Sequence, residues 1–177
     1  MTDPIVLTAL ACVTAHLLAD FVFQTGWMVA HKHRFPVLLL HAAIVFALTF
    51  LLLGGSPLLA AALAFAHLVI DALKVHAVPE AQRERLWPYL TDQLAHLATI
   101  ALAAFLQPEA FTQGIWAAQA TQFAPPALFL SGLSLATLAG RPAGVAGNHP
   151  ARARGGGGQG GDRAAARAGR RERRAQR

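Results

Sequence analysis

Three apolar stretches of the chain each carry a histidine and an aspartate four residues apart: His16 and Asp20, His67 and Asp71, and, in reverse order, Asp92 and His96. Four residues is about one helical turn, so each pair shares one helix face. Neutral imidazoles and carboxylates are ligands for zinc, manganese or iron, and an i, i+4 pair grips an ion from one side. A bound divalent cation would offset the charge of the aspartates and activate a water for hydrolysis. The same groups at membrane depth also suit a proton relay or an ion path. An ionisable side chain in a bilayer costs about 3 kcal/mol or more unless it finds a partner, a metal or water. Three such pairs therefore point to a built site.

The composition makes a membrane setting the natural one. The chain has 177 residues, of which 55% are hydrophobic and 14% charged, whereas soluble domains carry about 25% charged residues. Ten of the fifteen Lys and Arg residues lie at or beyond Arg141, so residues 1–140 hold five basic and seven acidic side chains. The isoelectric point near 11 thus describes the last segment and gives no reason to expect specific nucleic-acid binding. A single cysteine, Cys12, excludes a disulfide framework and reads as a small packing residue. The N-terminus lacks the basic residues of a signal peptide and its apolar run is too long for one, so it reads as a retained first span.

The elements that must position these residues are all-α, a polytopic bundle of four or five transmembrane helices. At about 1.5 Å per residue against a hydrocarbon core of about 30 Å, spans are expected over 4–24, 36–53, 58–75, 91–106 and, marginally, 125–139. Pro36 suits a first helical turn, and Gly54-Gly55-Ser56-Pro57 forms a turn signal. Thr91 suits an N-cap, with Asp92 in the first turn. Residues 79–89 read as a short surface helix, and 107–124, with Trp116, as an interfacial loop. From 141 to 177, Gly, Ala and Arg predominate without Leu, Ile or Phe. Such a tail buries too little apolar surface to offset its ordering entropy, and it is expected to be disordered.

Four of the five basic residues before Arg141, namely Lys32, Arg34, Arg83 and Arg85, lie in the first and third loops. By the positive-inside rule those loops are cytoplasmic, the N-terminus is outside, and the tail is cytoplasmic if the fifth segment spans. In an up-down bundle this puts His16, Asp20, His41, His67, Asp71, Lys74, Asp92, Gln93 and His96 at one depth, near the inner surface. One histidine or aspartate near a helix end is ordinarily an interfacial residue or a packing hydrogen bond. Three spaced pairs together with His41 go beyond that. Lys74, three residues after Asp71, is placed to neutralise that carboxylate or to bind an anion. His31, His33 and His76 read as ordinary surface residues, and Trp27, Trp87 and Tyr89 as interfacial anchors.

The order of these residues also resembles a known family. His16-Leu-Leu-Ala-Asp20-Phe21 with Gln24, then Leu40-His41, His67-Leu-Val-Ile-Asp71-Ala-Leu-Lys74 and Asp92-Gln93-Leu-Ala-His96 are similar to the motifs of the bacterial multi-pass membrane proteins grouped as domain of unknown function 3307, over residues 14–100. That resemblance implies a bacterial membrane bundle and no particular reaction. A weaker likeness, resting on the His-x-x-x-Asp pairs, is to bacterial membrane-bound metal-dependent hydrolases. Longer members of the first family continue with further apolar helices where this chain has its Gly/Ala/Arg segment. The composition of that segment is what a shifted reading frame of a GC-rich gene yields, which would make the chain a truncated product.

The resulting expectation is a multi-pass protein of the bacterial inner membrane with a cytoplasm-facing His/Asp site. Its metal ligands or general bases are His16, Asp20, His67, Asp71, Asp92 and His96, with His41 completing the shell. Lys74 orients an anion, and Gln24 and Gln93 support the ligands. The expected cofactor is one divalent ion (zinc, manganese or iron), and the expected partners are the lipid bilayer and further copies of the chain. A metal-binding membrane protein is the leading reading, with metal-dependent hydrolysis of a lipid-linked or membrane-proximal substrate as one activity it could carry. A proton- or ion-coupled transporter and a non-catalytic membrane scaffold are the alternatives. No nucleophile motif or phosphate loop selects a reaction, so the sequence leaves open whether the protein is an enzyme.

Overall fold

The structure, a computed structural model, describes residues 3–83 and 85–136. The expected tail at 141–177 and residues 137–139 of the fifth expected span lie outside the described residues. Among the described residues the chain is helical, with no strand. Helix α1 covers Pro4–Leu18 and runs on through a π-helical turn, Ala19–Phe23. The Asp3 carboxylate caps α1 by accepting from the Ile5 N–H, and Pro4 sits where its missing donor costs nothing. A short α2, Gly26–His31, follows behind the Thr25 N-cap. Then come α3, Phe35–Leu53; α4, Pro57–Ala77; α5, Glu80–Arg83; α6, Leu86–Leu106; and α7, Ala120–Ser134.

Four of these runs are long and apolar enough to cross a membrane: Pro4–Phe23, Phe35–Leu53, Pro57–Ala77 and Leu86–Leu106. They pack as an antiparallel ring in which α1 touches α3 and α6, and α4 touches α3 and α6 on the other side. Large apolar side chains cover the outside: Leu58, Phe65, Phe105 and Phe129 are each two-thirds exposed or more. In water so much exposed apolar surface would drive aggregation; against lipid tails it is the matching solvent. The protein is a membrane protein. Helix α7, at 15 residues, reaches about 22 Å. It leans on α1 through a 3.0 Å hydrogen bond between the Thr14 and Ser131 hydroxyls, the kind of polar link that holds helices together in lipid.

Helix α6 begins at Leu86, not at Thr91, so Thr91 is no N-cap and Asp92 lies beyond the first turn. Its carboxylate is therefore not explained by the helix dipole. The segment expected as one short surface helix over 79–89 is split between α5 and the first turn of α6.

The two ends of the ring differ. At one end, Gly54 closes α3 in the left-handed region (φ 69°), and the Gly55 N–H reaches back to the Phe50 carbonyl, a Schellman closure. The 107–119 segment caps this end: the Ile115 N–H donates to the Gly54 carbonyl and the Trp116 indole N–H to that of Leu51. Fully buried Phe111 donates its N–H to the Thr8 hydroxyl, which donates in turn to the Pro108 carbonyl. The core at this end is apolar, built on Leu7, Leu53, Leu59, Leu63, Ile100 and Phe111. At the other end, where α1 and α4 finish and α3 and α6 begin, the interior is polar.

Candidate metal centre

The π-helical turn at Ala19–Phe23 carries Asp20. An i→i+5 turn is wider than an α-turn and is found mostly at functional sites. Here Asp20 faces two neighbouring helices as well as His16. Its Oδ1 lies 3.1 Å from Nε2 of His41 on α3, 3.4 Å from Nε2 of His67 on α4, and 4.0 Å from Nδ1 of His16. Nε2 of His41 is 2.9 Å from Nε2 of His67. Asp71, one turn after His67, closes the group, its Oδ2 lying 3.7 Å from Nε2 of His41 and 3.5 Å from Nε2 of His67. All five side chains are at least nine-tenths buried.

The polar atoms crowd around Nε2 of His41. A ring nitrogen donates or accepts one hydrogen bond, yet Nε2 of His41 has three partners within 3.2 Å: His67, Asp20 and the Gln24 amide nitrogen. A divalent ion would give these atoms a shared partner. Ligand atoms at about 2.0–2.1 Å from a tetrahedral ion stand about 3.3 Å from one another, and the separations here, 2.9 to 3.7 Å, bracket that value. Two nitrogens and two carboxylate oxygens are a donor set that suits zinc, manganese or iron. His41 Nδ1 has no hydrogen-bond partner, so His41 lacks the outer partner that usually orients a metal-bound imidazole.

Two of the aspartates, Asp71 and Asp92, also meet a lysine, though not as the spacing suggested. Lys74 does not neutralise Asp71; its Nζ lies 2.7 Å from Oδ2 of Asp92. Asp71 is held instead by Lys32, Nζ to Oδ2 2.7 Å. Lys32 follows α2, and its place in a basic turn marks orientation without naming a partner. Its signal was present: a basic turn at the end of the bundle to which the aspartates also belong.

The structure brings the predicted residues together in overlapping groups: His16, Asp20 and His67; His41, His67 and Asp71; and Asp71, Asp92 and His96. The His16 and His96 rings stack with centroids 4.9 Å apart, and His67 and His96 approach to 4.1 Å. His96 Nδ1–H donates to the Asp92 carbonyl, 2.8 Å, leaving Nε2 a bare lone pair without a partner. Gln93 joins the halves: its amide oxygen faces Nε2 of His16 at 3.4 Å and its nitrogen donates to Oδ2 of Asp92 at 3.3 Å. His31 lies on α2, its Nδ1–H donating to the Trp27 carbonyl. His33, expected as a plain surface residue, lines a cavity beside Asp71.

No curated protein and no solved structure matches the chain. One family model does, over residues 6–123, a stretch that contains every residue of the centre. With the His/Asp motifs in their places on a helical membrane bundle, the chain belongs to the family described as protein of unknown function, DUF3307.

Proposed function

We propose that the protein holds one divalent metal ion among Asp20, His41, His67 and Asp71. The observation that carries this reading is that the Nε2 atoms of His41 and His67 lie 2.9 Å apart, with a carboxylate oxygen of Asp20 and one of Asp71 each within 3.7 Å of both. Gln93 links His16 to Asp92, and these with His96 complete the polar interior. The basic residues Lys32, Arg34, Arg83 and Arg85 lie at the same end as the centre, which supports a cytoplasm-facing site in a bacterial inner membrane. A four-coordinate zinc would leave no position for a substrate, whereas manganese or iron, with five or six positions, would bind water as well. Metal-activated hydrolysis of a lipid-linked or membrane-proximal substrate is therefore the activity we assign, and a cavity reaching Asp71 supports it.

Metal analysis of the detergent-purified chain beside His67→Ala and Asp20→Asn variants tests the assignment. One equivalent in the wild type, lost in both folded variants, is the expected result. A folded, metal-free wild type that takes up none of zinc, manganese or iron on titration rules it out. One specific observation favours a second reading, a scaffold without metal: Lys32–Asp71 and Lys74–Asp92 already pair two of the buried carboxylates. In that case the same variants lose stability while the wild type carries no ion.

A further inference from the structure

Beside the centre lies a cavity of about 330 Å3, bounded by the segment around α2, by the end of α4 and by α5. Among the described residues, Lys32, His33, Lys74 and Arg83 line it, with Gln24 and one carboxylate, Asp71. Lys74 is paired with Asp92 behind the lining and Lys32 with Asp71, so the three permanent cations exceed these two acids by one charge, and an apolar wall completes the lining. A small space with a positive balance and low-dielectric walls favours an anion. Arginine and lysine together are the usual partners of phosphate oxygens, and the volume matches a phosphate carrying a small substituent.

Lys32 connects this cavity to the metal centre. Its ammonium lies on Oδ2 of Asp71 at 2.7 Å, the same oxygen that approaches both His41 and His67. The ammonium therefore occupies the place on that oxygen which a divalent ion would take, and two cations cannot share it at such a distance without strong repulsion. An ion that binds Asp71 expels the ammonium, and the cavity Lys32 already lines is where it can go. We propose that this cavity binds a phosphate-bearing ligand, and that Lys32, released from Asp71 by the metal, couples the two binding events. This proposal rests on the metal reading above and adds the substrate class. It also implies that the ion and the phosphate each strengthen the other's binding, because linkage is reciprocal.

The test is a Mn2+ binding isotherm on the full chain in neutral detergent, at buffered free Mn2+, with and without inorganic phosphate. It is repeated in nanodiscs of phosphatidylcholine with and without phosphatidic acid. Phosphate is expected to raise Mn2+ affinity about tenfold, within the usual range of such couplings. Enhancement by inorganic phosphate in detergent assigns a soluble phosphate ester. Enhancement only with phosphatidic acid assigns a lipid headgroup, and either result supports the cavity. Lys32→Met should bind Mn2+ more tightly than wild type without phosphate, its competitor being gone, and should lose the enhancement. Arg83→Gln should keep wild-type Mn2+ affinity and need more phosphate to reach the same enhancement. Mn2+ affinity indifferent to both phosphate sources, or full enhancement in Lys32→Met, overturns the coupling while leaving the metal centre intact. A wild type that binds no Mn2+, zinc or iron overturns both.

Discussion

At the scale of single residues, the centre is defined by what each buried polar atom has for a partner. The Gln24 side-chain nitrogen lies 3.2 Å from Nε2 of His41, the atom proposed to bind the ion, so amide and ion compete for one lone pair. Gln24→Ala is expected to tighten metal binding without unfolding the bundle, as read by metal titration beside thermal melting; weaker binding would show that Gln24 helps to hold the ion. Lys74 has a different task. It partners Asp92, whose side chain is 5% exposed. Lys74→Met strands that carboxylate, and removing one member of a buried ion pair costs about 3–5 kcal/mol. The double variant Lys74→Met/Asp92→Asn removes both charges and should recover most of the loss in detergent unfolding. If the double variant is no more stable than the single one, Asp92 has another partner that matters more.

At the scale of elements, the two ends of the helices do separate work. The π-helical turn after α1 carries Asp20 into the polar end. The opposite end is closed by backbone contact between the α3–α4 turn and the 107–119 segment. A Cβ at Gly114 would lie 2.1 Å from the Leu53 carbonyl oxygen, and one at Gly54 would lie 2.9 Å from the Ile115 nitrogen at a left-handed φ. Gly54→Ala is expected to cost about 1–2 kcal/mol for the backbone alone, and Gly114→Ala more, because the obstacle is main chain and cannot turn aside. Both should lower the melting temperature in detergent, Gly114→Ala further, with metal stoichiometry unchanged because the centre sits at the other end. Metal lost in step with the folded fraction would be trivial; metal lost from folded Gly54→Ala would show that the two ends are coupled.

At the scale of the whole molecule, the arrangement is that of a bundle in lipid: apolar outside, polar at one interior end. The orientation proposed above makes that end cytoplasmic. Cys12 is buried, 1% exposed, and is silent to aqueous thiol reagents, so single cysteines can report the sides. Ala81→Cys in α5 and Gln113→Cys in the capping segment lie at opposite ends. A membrane-impermeant maleimide added to intact cells should label Gln113→Cys and leave Ala81→Cys unlabelled until the cells are opened. The reverse pattern inverts the protein and turns the centre outward.

Much of this was legible from residue order. Apolar runs of membrane length and the proline and glycine signals between them determined the helices, because helix formation and turn chemistry are local. The i, i+4 spacing determined which face each His/Asp pair shares, and alternating helix direction determined that the pairs meet at one end. Three things lay beyond the sequence because they depend on distances across helices. Tertiary packing chose which of the predicted ligands converge on one point, drawing in His41 and Asp20 from separate elements and setting His16 and His96 against each other as a stacked pair. It gave Asp71 to Lys32 and Asp92 to Lys74, reversing the nearest-neighbour expectation, because Lys32 on the chain after α2 reaches across to α4. It also left a basic cavity against the carboxylate that Lys32 holds.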